Sequence, residues 1–295
     1  MDSGDSGDSG DSSLIAVRLS DGLAKQNPGI IAVRLSDGLG NRLFQLAALL
    51  GYAERWNLRP VLFPSQIIPS NHTDALLAHK LFPQLELVWK MNRWGQLLDD
   101  PVYYASYKPF EKPETACPLL LHGYFQTEKY FPSYPIVLSF ESVLSDERRS
   151  ALDFHYREYG WWVHIRLGDY MILPHHQIDL RAYLRKVVGY VPAGERVLVF
   201  SDSPGLALTF LQTLPTAAGV EWVATDPELT PLETLYVMRG ASRGCICTNS
   251  TFSWWGAYGS VARSAGAPIY FPGRWSALPY AADDIYPQWG TKVDY

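Results

Sequence analysis

One short segment concentrates side chains that could act on a charged ligand: His164, Arg166 and Asp169 lie within six residues. On a strand, His164 and Arg166 project from the same face, because side chains alternate with period two. A planar guanidinium binds two oxygens of a diphosphate and stays charged, and a neighbouring carboxylate or imidazole could move a proton. A structural Arg–Asp ion pair is the simpler interpretation of each residue alone, but their concentration favours a site.

Gly38, Gly40 and Asn41 form a glycine turn before an amphipathic helix. Glycines allow a ligand to approach the backbone closely, and the N–H groups at a helix N-terminus attract anions. The spacing resembles a dinucleotide-binding fingerprint, but Leu43 occupies its third glycine position. A nicotinamide- or flavin-linked oxidoreductase is therefore the weaker interpretation, and a purely structural turn is an equal alternative.

Asn249, Ser250 and Thr251 are the third group of candidates. Ser250 or Thr251 could cap the helix that follows, and the hydroxyls there add donors to an anion site. Asp202 ends another predicted strand and could reach the same ligand, although many strands end in Asp simply to turn.

No metal site is predicted. His175 and His176 have neither a cysteine nor a carboxylate at ligand spacing nearby. The sequence contains no Asp-x-Asp motif, so a divalent ion held by carboxylates against a diphosphate has no obvious position.

Composition narrows the function classes. The 295 residues are 47% hydrophobic and 19% charged, which is typical of a folded globular protein. A net charge of −5 argues against nucleic-acid binding as the main role. No apolar run is long enough for a membrane span, and the acidic N-terminus lacks the basic start of a signal peptide. The sequence thus predicts a soluble, cytoplasmic protein, with Golgi association and peripheral membrane contact as open alternatives.

The first 28 residues are predicted to contribute no residue to a functional site. Residues 1–13 repeat Asp-Ser-Gly and indicate a disordered tail. Residues 15–23 recur identically as 31–39, and only the second copy runs on into the glycine turn and its helix. We interpret the first copy as a local duplication and the second as the functional one.

The remaining chain alternates strands and helices, which predicts an α/β fold with mainly parallel sheets. Strands are predicted at 29–35, 60–63, 119–125, 162–167, 197–201, 220–224, 244–248 and 268–271. Helices are predicted at 41–56, 180–188, 205–214, 232–240 and 251–264. In such sheets ligands lie beyond the carboxyl ends of strands, where all three groups of candidates are found. Two Rossmann-like domains are expected, at 29–140 and 141–295.

Five motifs in order resemble the α-1,2-fucosyltransferases of glycosyltransferase family 11 over about residues 30–272. They are DGLGNRLFQLA at 37–47, HGYFQTEKYF at 122–131, HIRLGDY at 164–170, FSD at 200–202 and NSTFSWWG at 249–256. The resemblance implies a GT-B-like fold, with residues 29–140 on the acceptor side and 141–295 on the donor side. It also implies GDP-β-L-fucose as donor, inversion to an α-linked fucoside, a glycan acceptor and no metal or other cofactor.

The resemblance implies a role for Arg166, and residue type and position at strand exits suggest roles for the other candidates. Arg166 matches the arginine associated with the donor diphosphate, and the predicted catalytic residues are Arg166, Asp169 and His164. The predicted donor-binding residues are Gly38, Gly40, Asn41, Asp202, Asn249, Ser250 and Thr251. Candidates for the general base are, in order, Asp169, His164 and Asp37.

Several positions depart from the family pattern, among them Ser203-Pro204 after the FSD element. Leu167 stands where a second arginine is common, and Asp37 stands where glycine is usual. The alternatives are therefore a transferase that uses a different nucleotide sugar, or a catalytically silent protein of the same fold that binds a nucleotide sugar or glycan.

Overall fold

The computed structural model describes residues 29–69, 73–89, 96–100, 106–115, 117–261, 264, 266–277 and 283–295. The predicted disordered tail and duplicated segment, residues 1–28, lie outside the described residues.

Two parallel sheets account for all the described strands. The first sheet contains β1 Ile30–Val33, β2 Arg59–Leu62, β3 Glu86–Leu87, β4 Gln96–Asp100 and β5 Leu119–Gly123. The second contains β6 Trp161–Ile165, β7 Arg196–Ser201, β8 Glu221–Ala224, β9 Gly244–Ile246, β10 Ile269–Pro272 and β11 Thr291–Val293. The helices are α1 Leu39–Trp56, α2 Asp146–Tyr156, α3 Leu180–Val187, α4 Pro204–Gln212, α5 Pro231–Met238 and α6 Thr251–Val261.

The strand order places a ligand site in each sheet. The second sheet runs β11-β10-β9-β6-β7-β8, which is the doubly wound order 3-2-1-4-5-6 of a Rossmann fold read from its other edge. The first runs β3-β2-β1-β5-β4. The order reverses between β6 and β9 and between β1 and β5, and ligands of open sheets bind beyond strand ends at such points. The predicted α/β class, with two facing Rossmann-type sheets in a GT-B-like arrangement, is confirmed.

Local sequence explains where several helices begin and end. Thr230 and Glu233 form a complete capping box at the start of α5, with Pro231 in the first turn. Helix α4 begins at Pro204, one residue before the predicted start, and proline suits the first helical turn. Helix α1 ends at Trp56 and is capped by Asn57, whose φ of 52° is the left-handed conformation that asparagine tolerates.

A single buried cluster joins the two sheets. Phe44 on α1 contacts Trp254 and Trp255 on α6, with ring centroids 4.6 and 5.3 Å apart. Phe131 stacks on Trp255 at 5.4 Å. All four rings belong to the cluster that also contains residues of β1 and β6. The predicted boundary between residues 140 and 141 falls in the 3-10 turn Phe140–Ser142 and stays a prediction.

Across the part of the chain that the structure describes, no helix combines the length and the apolar character needed to cross a bilayer.

Candidate functional site

A cleft of about 940 Å³ lies where the carboxyl ends of the two sheets face each other. Its walls come from the exits of β1 and β5 in the first sheet and of β6, β7, β8, β9 and β10 in the second. All ten predicted catalytic and donor-binding residues line it, and so does Asp37. The structure therefore brings together three groups that lie up to about 210 residues apart in the sequence.

The exit of β1 is held in an unusual backbone conformation. Asp37 has a φ of 62°, in the left-handed region that Asp adopts more readily than most residues. Its carbonyl accepts a hydrogen bond from Arg42 Nε at 2.9 Å, and the neighbouring Ser36 N–H donates to Gln45 Oε1 at 3.0 Å. These bonds fix the turn and leave the exposed Asp37 carboxylate at the cleft.

Gly40 allows helix α1 to approach the start of helix α6 closely. A Cβ at this position would lie 2.6 Å from Phe252 N and 2.6 Å from the carbonyl carbon of Thr251. Asn41 adds a polar bridge, because its Oδ1 accepts from Thr251 Oγ at 3.0 Å and from Gln126 Nε2 at 2.9 Å. The close approach that the glycine permits is therefore to helix α6.

Arg166 lies at the exit of β6 between two carboxylates. Its Nε donates to Asp169 Oδ1 at 3.0 Å, and its Nη2 lies 2.8 Å from the same oxygen. Its Nη1 lies 3.2 Å from Asp202 Oδ2. The side chain is 25% exposed, so the guanidinium reaches the cleft. A guanidinium carries five N–H groups, more than these contacts use.

Strand β6 ends at Ile165, two residues earlier than predicted, and a 3-10 turn begins at Gly168. The Leu167 N–H donates to Asp202 Oδ1 at 2.9 Å. A side chain on Gly168 would place its Cβ 2.4 Å from Asp202 Oδ2. The turn therefore depends on a carboxylate from β7, and on the absence of a side chain that would displace it.

His164 is buried at the base of the cleft and packs against Phe252, with ring centroids 5.5 Å apart. Burial, aided by the positive charge of Arg166, lowers the pKa of the imidazole to about 3. Within the described residues its Nδ1 has no hydrogen-bond partner. A neutral imidazole of such low pKa is a weak base at pH 7 but can still donate one N–H.

At the exit of β9, Asn249 has a structural role. Its Nδ2 donates to the carbonyls of His176 and Trp275, both at 3.0 Å. Ser250 caps α6, since its Oγ accepts from Phe252 N–H at 3.3 Å. Thr251 faces the first sheet through Asn41. These bonds pin the start of α6 against both sheets.

An aromatic shelf formed by Tyr170 and His176 lies beside Arg166. The two rings stack at 3.9 Å with an interplanar angle of 5°, and the Tyr170 hydroxyl donates to Asn249 O at 3.3 Å. Burial raises the pKa of Tyr170, and burial beside His175 lowers the pKa of His176 to about 4. Both rings are therefore uncharged near neutral pH.

The cleft carries more negative than positive charge. Among its described lining residues, Arg166 is the single permanent cation, and the carboxylates are Asp37, Asp169, Asp202 and Asp226. No group of three or more His, Cys, Asp or Glu side chains that could hold a metal occurs within the described ranges.

The lining residues that were not predicted from the sequence include three polar ones at strand exits: Gln126, Thr225 and Asp226. Gln126 follows β5, and the other two follow β8. The rule that ligands lie at strand exits would have found them if it had been applied to every strand, including those whose exits carry no recognisable motif.

No family model matches this chain, and no curated protein does either. Among solved structures, the chain is similar to a glycosyl transferase family 9 protein of Veillonella parvula, with 9% identity, a TM-score of 0.44, and coverage of 91% of this chain and 86% of that one. It is also similar to the iron-containing dodecameric glycosyltransferase TibC of enterotoxigenic E. coli, with 15% identity and a TM-score of 0.39. That alignment covers 90% of this chain and 62% of TibC, less than two thirds of its length. Both TM-scores lie below 0.5, so neither likeness indicates what the cleft binds.

Proposed function

We propose that the protein is an inverting glycosyltransferase that binds a nucleotide-diphosphate sugar in this cleft. The observation that carries the proposal is the position of Arg166, a guanidinium at the point where the strand order of a Rossmann-type sheet reverses, facing a second sheet. Ligands of such sheets bind at that point, and a guanidinium is suited to a diphosphate. The resemblance of the five motifs favours GDP-β-L-fucose as donor and an α-1,2 linkage to a galactoside or other glycan hydroxyl, without a metal.

The proposed reaction breaks the bond between the anomeric carbon and the diphosphate while an acceptor oxygen attacks the opposite face. Charge develops on the leaving diphosphate, and Arg166 would stabilise it. The amides at the start of α6 would add donors for the same charge. The neutral His164 would donate an N–H, which suits a ligand that brings negative charge.

Inversion would favour one of the candidates for the general base. The acceptor hydroxyl must lose its proton on the side of the sugar opposite the diphosphate. Asp169 contacts Arg166 and therefore lies on the diphosphate side, and the low pKa of His164 makes it a weak base. Asp37 belongs to the facing sheet and lines the same cleft. We propose Asp37 as the base and Asp169 as a partner that holds Arg166.

One observation favours a second function. Two of the cleft's carboxylates, Asp169 and Asp202, flank Arg166, and like charge opposes the binding of a diphosphate. A catalytically silent protein that binds a glycan or a nucleotide sugar weakly would tolerate this arrangement.

A donor screen tests the proposal. Purified protein is offered GDP-fucose, GDP-mannose and UDP-sugars with lactose as acceptor, with and without EDTA, and released nucleotide is measured. We expect release from GDP-fucose that EDTA does not abolish. Arg166→Ala should lower kcat/KM at least about a hundredfold, by analogy with the loss of one oxyanion donor. Arg196→Ala removes a guanidinium that pairs with Glu221 at 3.0 Å outside the cleft and is the control.

Binding of GDP without release or transfer from any donor would support the silent alternative. Near-normal turnover by Arg166→Ala would overturn the proposed mechanism.

A further inference from the structure

Asp202 links the backbone after β6 to the guanidinium that this segment carries. One carboxylate oxygen accepts the Leu167 N–H at 2.9 Å, and the other lies 3.2 Å from Arg166 Nη1. The two side chains are about equally shielded, 25% exposed for Arg166 and 22% for Asp202. Asp202 therefore contacts both the backbone next to Arg166 and the guanidinium of Arg166.

The carboxylate fits closely into this position. Gly168 leaves the space that it occupies, since a Cβ there would lie 2.4 Å from Asp202 Oδ2. Next to Asp202, the Ser203 N–H donates to Ser201 Oγ at 3.0 Å, which fixes the turn from which the carboxylate extends. The turn at Ser201–Ser203 therefore fixes the position of Asp202. Asp202 in turn holds the segment that follows β6.

Arginine has many rotamers, and a binding group that must be ordered when its ligand arrives loses affinity. Asp169 contacts the Nε side of the guanidinium and Asp202 contacts Nη1. Together these contacts fix the guanidinium plane before a ligand enters.

We propose that Asp202 is a positioning residue that orients Arg166 toward the cleft, and that it acts on the ligand only through Arg166. The inference rests on the proposed function for its ligand, a nucleoside diphosphate, but the orientation itself can be measured without that ligand. The negatively charged Asp202 carboxylate would thus strengthen the binding of an anion, although its charge alone would weaken that binding.

Two variants separate orientation from charge. Asp202→Asn keeps an oxygen for the Leu167 N–H but removes the ion pair. Gly168→Ala keeps every charged group and displaces the carboxylate by contact. GDP affinity is measured by calorimetry and turnover with GDP-fucose. Both variants should bind GDP about tenfold more weakly and lose about ten- to a hundredfold in kcat/KM, the scale of a small misplacement. Glu221→Gln, which breaks an Arg–carboxylate pair outside the cleft, is the matched control and should change neither quantity.

A double-mutant cycle tests whether the effect passes through Arg166. In an Arg166→Ala background, neither Asp202→Asn nor Gly168→Ala should cause a further loss, because the group that they orient is gone. A further loss in that background, or tighter GDP binding by Asp202→Asn, would overturn the positioning role.

Nuclear magnetic resonance gives a readout that is independent of activity. The Arg166 Nε–H signal, assigned by its disappearance in Arg166→Ala, should shift in Asp202→Asn and Gly168→Ala and stay in place in Glu221→Gln. If Arg166→Ala retains full GDP binding and turnover, the proposed function fails, yet a shifted signal would still support the orienting contact. An unshifted signal would contradict the inference whatever the activity.

Discussion

At the scale of single residues, the surroundings of each titratable group decide which of the predicted roles it can fill. His164 and Asp37 were both candidates for the same proton transfer. Burial leaves His164 with a pKa of about 3, whereas Asp37 is exposed at the cleft. Residue type alone could not separate them, because they differ in burial: the His164 side chain is buried and Asp37 is exposed.

The low pKa of His164 predicts a specific loss of stability in acid. Its folded pKa of about 3 lies below its ordinary value of 6.5, so the unfolded chain binds a proton that the folded chain does not. The contribution of His164 is intact above pH 6.5 and is lost as the pH falls toward 3. Between pH 7 and pH 5 the loss is about 2 kcal/mol. Urea denaturation of the wild type and His164→Phe at the two pH values measures it.

The comparison uses only the change in the free energy of unfolding between the two pH values. Any pH-independent destabilisation by the larger phenyl ring therefore cancels. His176, with a pKa lowered to about 4, contributes in the same direction to both proteins and also cancels. Equal pH dependence of the two proteins would show that His164 titrates normally in the folded state.

Asp37 provides a second prediction for a single side chain. Asp37→Asn keeps the size and polarity of the group but removes its ability to accept a proton. We expect kcat to fall about a hundredfold or more, while GDP affinity measured by calorimetry stays within about twofold. Asp226→Asn, which neutralises another carboxylate of the cleft, distinguishes the loss of a base from a general change of charge. An equal fall in kcat for both variants would point to charge and against a base at position 37.

At the scale of elements, most of the sheets could be predicted because their strands are apolar and lie between helices. Strand β7 was predicted at 197–201 and is observed at Arg196–Ser201. Strand β4, Gln96–Asp100, was missed because its QLLDD sequence is polar, and β3 has two exposed residues. A short edge strand forms because its backbone hydrogen-bonds to a neighbouring strand. Its own residues therefore give little indication that it is a strand.

The sequence predicts several of the helices and strands, but it does not predict the contacts between them. The glycine at position 40 was interpreted as room for a ligand, but its missing side chain is also the space into which the start of α6 packs. Likewise, Asp202 was predicted at a strand end, whereas its pairing with Arg166 depends on β6 and β7 being neighbours. Such facts depend on pairing between distant segments, which one sequence does not display.

The approach of α1 to α6 at Gly40 can be tested directly. In Gly40→Ala, the new Cβ would lie 2.6 Å from backbone atoms of α6, so the helices must separate. We expect a loss of about 1 to 3 kcal/mol in the free energy of unfolding, measured by urea denaturation. Gly205→Ala is the matched control, because Gly205 lies in helix α4 with nothing within 4 Å of its Cβ position. It should be neutral or stabilising by up to about 1 kcal/mol. Equal stability of the two variants would contradict the close helix contact.

At the scale of the whole molecule, one buried hydrophobic cluster spans both sheets, while the other faces of the described strands pack into separate clusters. The cluster includes Ile31 from the first sheet, Trp162 from the second, and Phe44 and Trp254 from the helices between them. A site built across such a core has walls fixed relative to each other by buried rings. The sequence predicts two Rossmann-like domains but not the buried cluster that joins them. The apolar residues of α1 and α6 do not show which residues they pack against.

This continuity predicts that both sheets unfold together. Amide hydrogen exchange of Ala32 in β1 and Val163 in β6, measured at increasing urea, should reach global exchange at the same concentration. Phe44→Ala removes a ring that contacts α6 at 4.6 Å and should lower the stability measured at both amides by about 3 to 5 kcal/mol. Phe154→Ala makes the same substitution at a ring that is 68% exposed, and its effect should stay within about 0.5 kcal/mol. If Phe44→Ala instead weakened protection at Ala32 and left Val163 unchanged, the sheets would be independent units, and the cleft between them could open and close.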